Sequence, residues 1–273
     1  MKKIVSIVLV FSICDCACQS VRTPVSAVYT RLSAYSLKNI DAFSFVANQA
    51  VLANMQDFTA GVFGERRFMM KDLAFYQMAF AIPNKYGQFG FTGNYFGSTE
   101  YKETSLGLAY GRKLMDNLSI GAQFNYYSVN IQGYGNSSSV NFEAGFLFQI
   151  TPQFHLGIHS YNPTGSNLGK EGTDKLPAIH TLGMGYETSD KFTISGEIQK
   201  QENEPININA GLLYSISEQL FARVGMSTAT STYYIGAGVM MKSIRLDVTS
   251  SIHPQLGITP GLMLIYKGVD KSE

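Results

Sequence analysis

The sequence predicts an all-β fold, a transmembrane antiparallel β-barrel of about 14 strands with a short N-terminal plug segment. Three observations predict it: strand-length segments of two-residue periodicity, apolar faces long enough to cross a bilayer, and alternating tight and loose connections. The periodicity is clearest from Leu118 to Val129. There Leu118, Ile120, Ala122, Phe124 and Tyr126 share one face, and Ser119, Gly121, Gln123, Asn125 and Tyr127 the other. Such alternation marks strands. The next segment sets Val140, Phe142, Ala144, Phe146, Phe148 and Ile150 against Asn141, Glu143, Gly145, Leu147, Gln149 and Thr151. Segments from Phe192 to Lys200 and from Ile206 to Ile216 repeat the pattern.

A soluble sandwich also alternates, with its apolar face inward. These apolar faces run over successive outward positions, as in a strand of about 9 to 11 residues tilted through hydrocarbon. Met115-Asp116-Asn117, Thr151-Pro152-Gln153, Ser189-Asp190 and Ser217-Glu218-Gln219 read as short turns. Gln132 to Ser138 and Asn162 to Pro177 read as longer outer loops. That asymmetry is the one expected of periplasmic turns and extracellular loops. Tyr95, Phe96, Tyr126, Tyr127, Tyr161, Tyr186, Tyr214, Tyr233, Tyr234 and Tyr266 gather near segment ends, where an interfacial girdle would sit. Strands are expected to begin near Phe58, Leu73, Gly87, Glu103, Leu118, Ser139, Phe154, Ala178, Phe192, Ile206, Leu220, Tyr233, Ser243 and Leu256.

The first 18 residues read as an export signal. Lys2 and Lys3 form a basic start, Ile4 to Ile13 an apolar stretch, and Cys16-Ala17-Cys18 a small-residue exit, with cleavage before Gln19. The rival reading is a lipid-anchored leader on Cys14, Cys16 or Cys18, none of which follows the Leu and small-residue pattern usual before a lipidated Cys. All 3 cysteines lie in this leader, so the mature chain is expected to use neither disulfides nor thiol chemistry. Beyond it no apolar run approaches the roughly 18 to 20 residues of a spanning helix, leaving strands as the means of crossing. A net charge of +1 without a basic stripe argues against nucleic-acid partners. The barrel is expected over residues 57–268, followed by a polar tail at 269–273; the outer membrane and its lipid are the expected setting.

Residues 19–56 lack clean alternation and read either as a plug in the lumen or as a periplasmic arm. Within them, Asp41-Ala42-Phe43-Ser44-Phe45-Val46-Ala47-Asn48-Gln49-Ala50-Val51-Leu52-Ala53 resembles the Asp-x-x-Ala then Asn-Pro-Ala-x-Leu-Ala signature of the FadL-like fatty-acid transporter group. Asp41, Asn48, Ala50, Leu52 and Ala53 carry the match, and Gln49 stands where Pro is usual. PorV and PorQ, type IX secretion proteins of Bacteroidota, share a related version, and the chain resembles that group most closely. The resemblance implies a barrel with a plug and no enzymatic activity. It further implies an accessory of protein secretion that meets a translocon or secreted cargo. The alternatives are a transporter of small hydrophobic compounds, with Tyr29, Tyr35, Phe43 and Phe45 lining a gated path, and a structural barrel.

No cofactor, metal or catalytic site is expected. His155 and His159 on a strand stand about 13 Å apart at about 3.3 Å per residue, too far to share an ion. His159 and Ser160 alternate across the sheet and so do not form a catalytic pair. No phosphate-loop, dinucleotide or metalloprotease motif occurs. Glu143, Glu197, Arg223, Arg245 and Asp247 fall on inward faces, because an Arg or Lys facing mid-bilayer costs about 2–4 kcal/mol. They read as ion pairs filling a narrow interior, or as a polar constriction that tunes passage.

Overall fold

The computed structural model describes residues 24–169 and 174–268. The leader, its cysteines, the cut before Gln19 and the tail at 269–273 lie outside the described residues. The strands are β1 (Thr59–Arg66), β2 (Ala74–Ile82), β3 (Gln88–Gly97), β4 (Tyr101–Met115), β5 (Leu118–Ile131), β6 (Gly135–Gln149) and β7 (Phe154–Tyr161). After a small hairpin of β8 (Asn167–Leu168) and β9 (Asp174–Lys175) come β10 (Ile179–Glu187), β11 (Phe192–Gln201), β12 (Asn207–Ser215) and β13 (Leu220–Ser227). The last are β14 (Thr232–Met241), β15 (Ile244–His253) and β16 (Gly257–Lys267).

All strands except β8 and β9 join into one closed antiparallel barrel of 14 strands. Each strand pairs with its neighbour in sequence, β7 with β10, and β1 closes on β16 from Thr59↔Lys267 to Glu65↔Gly261. Closure leaves no unpaired edge, which hydrocarbon would not tolerate. Strands begin at Leu118, Phe154, Phe192 and Leu220 as the periodicity predicts.

Side chains divide as the alternation requires. On β5, Phe124 is 67% exposed on the outer wall, whereas Gln123 is 3% exposed inside. Phe146, Ile194, Ile208, Val248 and Leu262 also face out. Replacing Phe124 with Arg is therefore expected to destabilise the barrel by about 2–4 kcal/mol if the site is near the bilayer centre, read by urea unfolding in lipid vesicles. A Gln123→Asn change should cost far less, and equal losses would contradict the outward assignment.

Two expectations are corrected. Gln132 to Ser138 is not a long loop: β5 and β6 extend until only 132–134 connect them, with Tyr134 N donating to Ile131 O at 3.0 Å and Gly133 at φ 83°. The serines there mimic a loop in sequence. They belong instead to a strand end above the apolar band, where Ser128 Oγ donates to Asn136 at 3.0 Å. The aromatic girdle is also smaller than expected. Tyr95, Tyr126, Tyr186, Tyr214, Tyr233 and Tyr266 face out, but Phe96, Tyr127, Tyr161 and Tyr234 are buried inside. Where two aromatics are consecutive the pleat must turn one of them inward. The inward phenols find acceptors, Tyr127 at Glu103 (2.8 Å) and Tyr234 at the Ala210 carbonyl (2.9 Å). The longer connection at 162–178 is present and is tied down by Asn162, whose Nδ2 donates to Leu176 O at 2.7 Å.

Residues 24–56 run inside the barrel. They form α1 (Tyr29–Leu32), a 3-10 turn at Ser33–Tyr35, α2 (Ser44–Ala47) and a second 3-10 stretch at Gln49–Asn54. Asn48 starts that last stretch by accepting from Ala50 N at 3.1 Å. Ala27, Tyr29, Leu32, Tyr35, Phe43, Phe45, Val51 and Leu52 are buried and pack with wall residues such as Phe63, Phe75, Leu147 and Met263. The barrel thus holds a hydrophobic core of its own, greasy outside and again along its axis, with a polar layer between them.

Candidate functional site in the barrel lumen

Room for the inner segment is made by inward-facing glycines. A Cβ added to many of them would fall within 3.0 Å of that segment, as at Gly61 against Phe43, Gly90 against Phe45, Gly121 against the Gln49 carbonyl, Gly145 against Asn48, and Gly183 against the Tyr35 ring. Gly111 meets Leu52 and the backbone of Gln49 and Ala53 in the same way. These glycines serve close approach of a second chain segment, a recognised use of glycine within strands. Valine at Gly183 would drive the Tyr35 ring out of its seat. The expected loss is about 1–3 kcal/mol or more from overpacking, visible as faster proteolysis of the segment with the barrel intact.

Polar anchors alternate with these recesses. Near the start of the segment, Glu65 accepts from Val25 N (2.9 Å), Ser26 N (2.7 Å) and Ser26 Oγ (2.9 Å). Arg31 Nε donates to Glu197 at 2.8 Å, and that carboxylate also accepts from Tyr35 OH (3.0 Å) and Asn209 Nδ2 (2.7 Å). Glu187 takes Ser36 Oγ (2.7 Å), Leu37 N (2.8 Å) and Lys38 N (3.1 Å). Arg245 bridges Asp41 (2.6 Å) and Asp247 (3.1 Å), and Arg223 meets the other Asp247 oxygen at 3.0 Å. Asn48 Nδ2 donates to the Phe146 carbonyl at 3.0 Å, and Gln49 Nε2 to Glu143 at 3.0 Å.

The residues singled out in the sequence therefore meet. Glu143, Glu197, Arg223, Arg245 and Asp247 all project inward and are buried. Glu143, Glu197 and Arg245 hold the inner segment directly, and Asp247 connects Arg223 to Arg245. Asp41 and Asn48 supply polar anchors, while Leu52 and Ala53 fill the recess at Gly111 and Ala50 backs onto Gly121. Phe43, Phe45 and Tyr35 are sealed against Gly61, Gly90 and Gly183, and Tyr29 alone of the four borders the cleft described below. Sequence reasoning missed Glu65, Glu187, Arg31 and the glycines. The usable signal was glycine recurring at inward phase on strand after strand.

His155 and His159 both face in, on either side of Gly157, with different partners: His159 lies 2.8 Å from Glu143 and His155 3.8 Å from Glu187. Ser160 and His180 do touch, at 3.0 Å, but on the outer wall. The next residue across from His180 is Lys200, so the row lacks the carboxylate of a catalytic triad. Among the described residues no group of His, Cys, Asp and Glu is placed to hold a metal ion.

A small cleft of about 30 Å³ lies between the inner segment and β11–β13. Tyr29, Leu32, Thr193, Gly211, Leu213 and Arg223 border it.

A closed wall of strands, apolar on its outer face, around a seated inner segment defines a class, the closed 14-strand β-barrel with an occupied lumen. Its structural neighbours are outer-membrane barrels of the FadL family. The CymD monoaromatic hydrocarbon channel superposes with a TM-score of 0.61 at 12% identity, covering 84% of this chain and 93% of that one. The toluene transporter TbuX of Ralstonia pickettii gives 0.58 at 13% identity, with 84% and 93% covered. A FadL homologue of Pseudomonas aeruginosa gives 0.55 at 12%, with 83% and 93% covered. At such identities the likeness is one of fold. No protein-family model and no curated protein matches the sequence. Nothing in these comparisons supports a PorV, PorQ or type IX secretion assignment.

Proposed function

We propose that this chain is a non-enzymatic, FadL-like outer-membrane channel for small hydrophobic compounds, with residues 19–56 as its plug and residues 1–18 as a cleavable export signal. The observation that carries the reading is the end-to-end likeness of the barrel to channels described as passing monoaromatic hydrocarbons and toluene. The lumen agrees with it. A ligand leaving the outer leaflet would meet a seated segment whose core is apolar, beside a small cleft bordered by Leu32 and Leu213 together with Ser33, Asn39 and Thr193. Glu143, Glu197, Arg223, Arg245 and Asp247 then act as seats for the plug, and Asp41, Asn48, Ala50, Leu52 and Ala53 as the parts of the plug that fit them.

Uptake of radiolabelled toluene tests the proposal, in a host stripped of its own channels of this kind. Cells carrying the barrel should take it up several-fold faster than cells with an empty vector; equal rates would sink the reading. The alternative of a secretion accessory is supported by the resemblance over Asp41 to Ala53. Recovery of a translocon or secreted cargo with the barrel purified from its own outer membrane would favour it.

A further inference from the structure

The turn between β1 and β2 places two consecutive non-glycine residues in the left-handed backbone region, Phe68 at φ 52°, ψ 30° and Met69 at φ 62°. One such residue is uncommon and two in a row are costly, because each brings its Cβ against the carbonyl oxygen that follows. The turn is held by what surrounds it. Met70 N donates to the Arg67 carbonyl at 2.9 Å, Phe68 N donates to Thr259 Oγ1 at 3.1 Å, and the Phe68 ring stands edge-on to His253 with 6.0 Å between centres. Backbone strain that persists because its surroundings impose it is a mark of ligand clamps and switch regions.

Beside the turn lies one grip on the inner segment. Arg67 is buried and donates from Nε to Glu65 at 3.0 Å, with its guanidinium 4.7 Å from the Phe96 ring centre and 5.4 Å from that of Phe75. Glu65 in turn accepts from the backbone amides of Val25 and Ser26, and Arg67 supplies the countercharge that a buried carboxylate needs. This grip is at the mouth where β1 ends. The grip of Glu187 on Leu37 and Lys38 is at the opposite mouth, where β1 begins. Phe68 and Met69 cannot relax to extended backbone without moving their neighbour Arg67, so the strain pulls on one grip and not on the other.

We propose that the β1–β2 turn is a strained strap on the inner segment, set so that the end at Val25 and Ser26 lets go before the end at Leu37 and Lys38. The inference does not depend on what the barrel passes. Hydrogen–deuterium exchange of the purified full chain in detergent reads both grips, since the amides of Val25, Ser26, Leu37 and Lys38 are themselves the donors. In the parent the first pair should exchange faster than the second. Met69 is 63% exposed, so its side chain can be changed with little effect on packing. Asn tolerates the left-handed region and Val resists it, so we expect Met69→Asn to slow exchange at Val25 and Ser26 roughly fivefold and Met69→Val to speed it by a similar factor, with Leu37 and Lys38 unchanged. The same two substitutions at Met70, also exposed but at φ -85°, should alter neither pair. Arg67→Gln should speed exchange at Val25 and Ser26 at least as much as Met69→Val. Heat-modifiable migration on gels confirms that each variant barrel is folded; should Met69→Val fail to fold, the comparison of Met69→Asn with Met70→Asn decides. The strap is overturned if Asn and Val at position 69 move the rate in the same direction or not at all, if Met70 responds as Met69 does, or if Arg67→Gln leaves the rate unchanged. It is equally overturned if Leu37 and Lys38 change in step with Val25 and Ser26, or exchange first in the parent.

Discussion

Deleting residues 24–56 while keeping the export signal should turn an electrically silent barrel into a conducting one. The intact chain in a planar bilayer is expected to show no steady current, because the inner segment fills recesses at Gly61, Gly90, Gly121, Gly145 and Gly183. Every barrel strand begins at or after Thr59, so the deletion removes none of the wall or its β1–β16 closure. What remains inside is a lining of Glu143, Glu197, Arg223, Arg245 and Asp247 among glycines, and water can solvate those charges once the segment is gone. The cost of leaving them without their buried partners is therefore small, unlike the cost in a dry interior. Stepwise single-channel conductance from the truncated barrel, absent from the parent, is the expected record. A silent truncated barrel that is folded, or steady current through the parent, would count against the sealed lumen.

The second large effect is expected at Glu197. Its carboxylate accepts from Arg31, Tyr35 and Asn209, and the pair with Arg31 is buried on both sides. Glu197→Ala leaves the guanidinium without its counterion in a desolvated setting, a loss of about 3–5 kcal/mol. That loss acts on the seating of the inner segment, because the wall at Glu197 keeps its strand pairing through Gly183 and Asn209. We expect intermittent current and protease access to the segment, with the barrel itself still folded. Replacing both partners, Arg31→Met with Glu197→Leu, should restore part of the seal, since it removes the unpaired guanidinium and leaves only the Tyr35 hydroxyl and the Asn209 amide without their acceptor. A double-mutant cycle read by urea sensitivity of the current measures the coupling. If Glu197→Ala stays silent and resistant, the ion pair is not a seat.

The wall was far more legible than its contents. Alternation on β5, β6, β11 and β12 identifies inside and outside because lipid imposes the same rule on every residue of a strand, so Phe124 and Gln123 could each be placed from their neighbours alone. The start of β6 was misread because Gly133, Gly135 and the serines between Asn136 and Val140 carry loop composition, while hydrogen bonding to a partner strand decides the outcome. Tyr127 and Tyr234 were misplaced for a related reason: an aromatic near a strand end suits lipid headgroups or a lumen carboxylate equally well, and only its phase distinguishes them. Inside the barrel, the inward charges were found because hydrocarbon forbids the alternative. Their partners were not, since Arg31 meeting Glu197 or Asp41 meeting Arg245 depends on how an irregular segment folds back over more than a hundred residues of intervening chain.

The seam between the first and last strands sets an order of events during biogenesis. Thr59 pairs with Lys267, so the ring stays open until the final strand has arrived. Tyr35, Phe45 and Gln49 sit behind glycines on strands from β3 to β10, in recesses with no entrance through the finished wall. The leading end of the polypeptide must therefore take its place while the sheet is still an incomplete arc, and the arriving strands then wrap around an object already present. A chain whose leading end came late would have to enter through the mouth, past the clamps formed by Glu65 on one side or Glu187 on the other.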